Sequence, residues 1–106
     1  MSTETKITKP DQESLEEFIN KLIIIGNETY NHNIIVDLLD KSDLKVADLK
    51  LFSDISKLQL KRKKSLVFVV KKINFNSLPK SIIAVPSLQE AKDFIEMDEI
   101  ERDLGF

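Results

Sequence analysis

The chain has 106 residues and a formal net charge of −2, with no cysteine, two glycines and three prolines, which is enough chain for one hydrophobic core and too little for two. The absence of cysteine excludes disulfides, thiolate nucleophiles and cysteine-ligated zinc or iron–sulfur centres. No apolar run approaches the roughly 20 residues that span a bilayer, so no membrane association is expected.

Thr5-Lys-Ile-Thr8 reads as a short edge strand stopped by Pro10, which lacks the donor a ladder needs. Residues 11–25 read as a helix, because Leu15, Phe18, Ile19, Leu22 and Ile23 recur at three-and-four spacing and Ser14-Leu-Glu-Glu is a capping box near its start. Gly26-Asn27 supplies its stop. Residues 33–39, a β-branched run bounded by polar residues, have the pattern of a strand buried on both faces.

From Val46 to about Arg62 the spacing of Leu51, Ile55 and Leu58 predicts one amphipathic helix, flanked by Leu49 and Phe52. Its last turn, Lys61-Arg62-Lys63-Lys64, carries the charge sign favoured by a helix dipole at that end. Ser65-Leu-Val-Phe-Val-Val is the clearest strand, and residues 81–85 form another after a loop at Phe75 to Pro79. Pro86-Ser87 then opens a second capping box, Ser87-Leu-Gln-Glu, and a helix burying Ala91, Phe94 and Ile95. Residues 97–106 form an acidic C-terminal extension, read as a separate turn or a bent continuation. Strands alternating with helices predict an α/β fold, a central parallel or mixed sheet of about four strands covered by helices, as one domain over residues 1–106.

The order and spacing of Ile34-Ile-Val-Asp-Leu-Leu, a helix from Val46, Leu66-Val-Phe-Val-Val and Ile83-Ala-Val-Pro-Ser-Leu-Gln-Glu-Ala resemble a STAS domain over roughly residues 33–95. That family includes the anti-sigma factor antagonists and the cytoplasmic tails of anion transporters. The C-terminal run Asp98-Glu-Ile-Glu-Arg-Asp-Leu-Gly-Phe is also similar to short bacterial STAS-like proteins sometimes labelled ribonuclease Z. The resemblance implies a STAS-like fold and a regulatory protein–protein interaction module without catalysis. It also implies a partner-binding surface at Lys45, Val46, Ala47, Asp48 and Leu49. Phosphorylation-controlled members carry Asp-Ser-Ser/Thr-Gly at that helix start, whereas the stretch from Leu44 to Leu49 has no Ser, Thr or Gly. Ser42 falls in the loop before it, and no phospho-switch is expected at the family position. Asp48 is read as complementing the dipole of the helix start.

Enzyme chemistry is not expected. A ribonuclease Z centre needs a His-x-His-x-Asp-His cluster holding two zinc ions, and His32 is the single histidine; it reads as a solvated loop residue. The acids Glu96, Asp98, Glu99, Glu101 and Asp103 lack the glycine-bearing turn of a calcium loop and read as a solvated helix face. Gly26 and Gly105 are too far apart to form a phosphate loop. No cofactor and no metal are expected.

Charge is uneven. Residues 1–40 carry three lysines against eight acids, residues 41–80 eleven Lys/Arg against three acids, and residues 81–106 two against seven. The basic middle makes Lys61, Arg62, Lys63 and Lys64 the candidate nucleic-acid patch of an alternative reading, an RNA-associated accessory factor linked to tRNA 3′-end processing. The acidic pI of 5.4 and the lack of stacking aromatics beside these lysines disfavour it. A bacterial, cytoplasmic location is expected, because Met1-Ser-Thr-Glu-Thr-Lys has neither a basic start nor an apolar stretch. A monomer or weak dimer is expected, the latter through the edge at Thr5 to Thr8.

Overall fold

The computed structural model describes residues 5–28, 32–41 and 44–105. Ser42, named above, lies outside the described residues. Four strands, β1 (Thr5–Thr8), β2 (Asn33–Asp37), β3 (Leu66–Val69) and β4 (Ile83–Val85), form one sheet in the order β1-β2-β3-β4. Every neighbouring pair is parallel, so the sheet is parallel and not mixed. Ile7 pairs with Ile35, Ile35 with Val67, and Val67 with Ile83.

Five α-helical or 3₁₀ segments connect and follow the strands. They are α1 (Leu15–Glu28), α2 (Val46–Lys50), α3 (Ser53–Lys61), a 3₁₀ turn (Phe75–Ser77) and α4 (Leu88–Asp103). Right-handed crossovers in a sheet that always steps the same way place their helices on one face. The core agrees: Phe18 and Leu22 of α1, Leu49 of α2 and Ile55 of α3 pack with Ile34, Val36, Leu66 and Phe68. The alternate residues Ile35, Val67 and Val69 face the other way and pack with Ala91 and Ile95 of α4. This is the period-two division of a strand buried on both faces. On the first face, Phe52 lies 4.9 Å from Phe68 and 6.3 Å from Phe18 between ring centroids, in tilted and edge-on geometries. The Cα radius of gyration is 13.1 Å, close to the ~13 Å of a compact chain of this length.

Several boundaries differ from the sequence reading. Helix α1 begins at Leu15 and not at residue 11, because Ser14 Oγ accepts the Glu17 N–H at 3.2 Å and fixes the start. It runs through Gly26-Asn27 to Glu28. Strand β2 ends at Asp37, whose carboxylate accepts the Leu39 N–H at 3.0 Å and turns the chain. The helix expected over residues 46–62 is two helices that meet at Phe52. The buried stripe also differs in phase: Leu49, Phe52 and Ile55 face the core, whereas Leu51 and Leu58 are exposed. The residues 97–103 are not a separate turn but continue α4, one helix of 16 residues capped by Ser87 Oγ, which accepts the Glu90 N–H at 3.1 Å. Of its apolar residues, Ala91 and Ile95 are buried and Phe94 is partly so, while Ile100 and Leu104 are exposed.

Candidate functional site

The residues assigned by resemblance to partner binding sit at the carboxyl end of β2, where ligand sites of parallel sheets commonly lie. Lys45 is extended and precedes α2, and its N–H donates to Asp48 Oδ2 at 2.9 Å. Asp48 therefore holds the start of the helix by a specific hydrogen bond as well as by its charge. Lys45, Ala47 and Lys50 are exposed, and Val46 and Asp48 half-buried. Leu49 is fully buried among the residues of the first core and anchors the helix there. The following Leu51 is 51% exposed, one helical turn beyond Ala47.

The basic run forms the end of α3. The Lys63 N–H donates to the Leu60 carbonyl and the Lys64 N–H to the Gln59 carbonyl, both at 3.0 Å, which is the Schellman pair that satisfies a helix C-terminus. Lys63 occupies the left-handed position of that motif, with φ of 59°, where glycine is usual. Lys61 and Lys63 are exposed, and Arg62 and Lys64 are half-buried and engaged. The run is thus first a helix terminus, with Lys61 and Lys63 as its presented charges.

A third location was not legible as a site. The buried polar residues Asn33, Ser56, Gln59 and Ser65 gather at the amino ends of β2 and β3, opposite α2. Asn33 Oδ1 accepts the Ser65 N–H at 2.8 Å, and Asn33 Nδ2 donates to Glu99 Oε1 on α4. Ser65 Oγ donates to Asp98 Oδ2 and accepts from Arg102 Nη2 at 3.0 Å, while Arg102 Nη2 also binds Asp98 Oδ2 at 2.7 Å. Asp98 and Arg102, one helical turn apart, therefore close a charged network over Ser65. The sequence signals were present but weak: a polar residue directly before each β-branched run, at positions adjacent in the sheet, and an acid four residues ahead of the lone C-terminal arginine.

Gln59 Nε2 donates to the His32 carbonyl at 3.3 Å, which ties the loop of His32 to α3. Among the described residues no group of three or more His, Asp and Glu is placed to hold a metal ion. Glu96, Glu101 and Asp103 are exposed along α4, whereas Asp98 and Glu99 are half-buried in the network. Among the described residues no helix is long and apolar enough to cross a membrane.

No protein-family model, no curated protein and no solved structure matches the chain. What the fold defines is an α/β chain with a four-stranded all-parallel sheet and helices packed on it.

Proposed function

We propose that the chain is a STAS-type regulatory protein–protein interaction module of the cytoplasm, without catalysis of its own, that docks a protein partner through α2. The observation that carries this reading is the construction of α2. Leu49 locks the helix to the core and Asp48 locks its start, so Lys45, Ala47, Lys50 and Leu51 form a rigid exposed surface next to the carboxyl end of the sheet. A preformed surface binds without the ordering cost of a mobile loop. Leu51 supplies an apolar anchor with lysines at its rim, the composition of a small interface centre. The helix follows the second strand of the sheet through a short loop, as the resemblance to STAS domains implies for the docking helix.

The test is capture of partners from the native host with the full chain and with the double variant Ala47→Arg/Leu51→Arg, at several salt concentrations. A specific protein retained by the parent and lost by the variant, with unchanged circular dichroism, supports the reading. Recovery of no specific protein, or equal recovery by both, rejects it. The RNA-associated alternative rests on the exposed charges of Lys61 and Lys63 alone. Reversing Lys61, Arg62, Lys63 and Lys64 to glutamate would abolish RNA binding on that reading, and the absence of binding in the parent chain rejects it.

A further inference from the structure

Helix α4 carries apolar residues on two opposite sides. Ala91 and Ile95 are buried against the sheet, and Asp98 and Arg102 continue that side to Ser65. On the outer side Met97, Ile100 and Leu104 are 59%, 48% and 65% exposed. Apolar residues scattered singly over a surface need no explanation. These three follow one another at spacings of three and four, which aligns them in one stripe along two turns, about 10 Å of helix.

The spacing is that of a coiled-coil seam, with Met97 at position a, Ile100 at d and Leu104 at the next a. The preceding d position is Asp93, whose carboxylate accepts from Gln89 Nε2 at 3.0 Å and ends the apolar stripe. Positions e and g flank a seam and set its choice of partner. Beside this stripe they are Glu96, Glu101 and Asp103, all exposed acids. The cations of α4, Lys92 and Arg102, fall at c and f, and Arg102 is turned to Asp98 at 2.7 Å. The stripe is therefore rimmed by negative charge on both sides.

That charge selects the occupant. Two copies of α4, parallel or antiparallel, would set acids against acids across the seam. An anionic membrane surface or a nucleic acid would meet the same repulsion. A helix with apolar a and d residues and Lys or Arg at e and g matches both the stripe and its rim. We infer that the outer face of α4 docks a basic amphipathic helix of a partner protein by coiled-coil packing. Helices α2 and α4 pack on opposite faces of the sheet, so this surface stands or falls independently of docking through α2.

Amide NMR titration of the full chain with two designed helical peptides tests it. Both peptides have isoleucine at a and leucine at d, and they differ in carrying lysine or glutamate at e and g. Saturable shifts centred on Met97, Ile100 and Leu104 are expected with the lysine peptide. The glutamate peptide binds at least about tenfold more weakly, a difference of about 1.4 kcal/mol. Ile100→Asn, with unchanged circular dichroism, loses the lysine peptide, and Glu96→Lys/Glu101→Lys/Asp103→Lys inverts the preference between the two. Absence of saturable shifts, shifts centred outside α4, equal affinity for the two peptides, or undiminished lysine-peptide binding in either variant overturns the inference. So does self-association of the chain alone, by light scattering, that Ile100→Asn abolishes, since a second copy would then cover the face.

Discussion

The side chain of Asn33, fully buried at the start of β2, accepts the backbone N–H of Ser65 at 2.8 Å while donating to Glu99 on α4. One amide thus joins two adjacent strands and the helix that covers them. Asn33→Ala leaves the Ser65 N–H buried and unpaired, and is expected to cost about 1–3 kcal/mol, read as a lower urea midpoint at unchanged slope. A loss under half of that would show the contact to be incidental.

Lys63 lies in the left-handed region with φ of 59° at the end of α3. An L side chain there costs roughly 1 kcal/mol that glycine avoids. Lys63→Gly should therefore raise stability by up to about 1 kcal/mol in thermal unfolding. A destabilised variant would mean that the lysine side chain contributes more than the backbone strain removes.

Leu49 and Leu51 are two residues apart and have opposite surroundings, one fully buried and one half-exposed. Leu49→Ala is expected to cost about 2–5 kcal/mol, and Leu51→Ala to stay within about 0.5 kcal/mol of the parent. Equal losses in chemical denaturation would put the helix phase in error.

Glu13 lies ahead of α1, where its carboxylate accepts the Asp11 N–H at 3.2 Å and pairs with Lys21 at 3.3 Å. The backbone hydrogen bond of Asp11 foremost, then that of its own backbone and Lys21, holds its pKa below the 4.5 of a free glutamate. A depressed carboxylate contributes stability that is complete above the unfolded pKa and is lost as pH falls through the lower folded one. Carboxyl-carbon NMR should place its midpoint below 4.5, and Glu13→Gln should remove that part of the acid dependence. A midpoint at or above 4.5 would show that the turn does not hold the carboxylate.

Most of the fold was legible because its signals are local. Ser14 and Ser87 cap α1 and α4 where the Ser-x-x-Glu patterns stand, and both β-branched runs are strands buried on two faces. The phase of residues 46–62 was not legible. Leu51, Ile55 and Leu58 fit a helical stripe as well as Leu49, Phe52 and Ile55 do, and only the packing against the sheet decides which face is buried. Of the residues 45–49, Leu49 is accordingly buried in the core and not on the surface. The polar network was illegible for a different reason. Asn33, Ser65 and Asp98 are separated by more than 30 residues along the chain, and their pairing follows from strand register and from the angle at which α4 crosses the sheet, neither of which a linear pattern encodes.

The strand order repeats the chain order, and this has a consequence for how the molecule assembles. Each new strand docks beside the one made just before it, so the sheet can grow in step with synthesis and never needs to insert a strand between two already paired. The face bearing Ile35, Val67 and Val69 waits for α4, which follows all four strands in the chain. Until then it is an uncovered apolar sheet, and a chain stalled before Leu88 is the species most prone to aggregate.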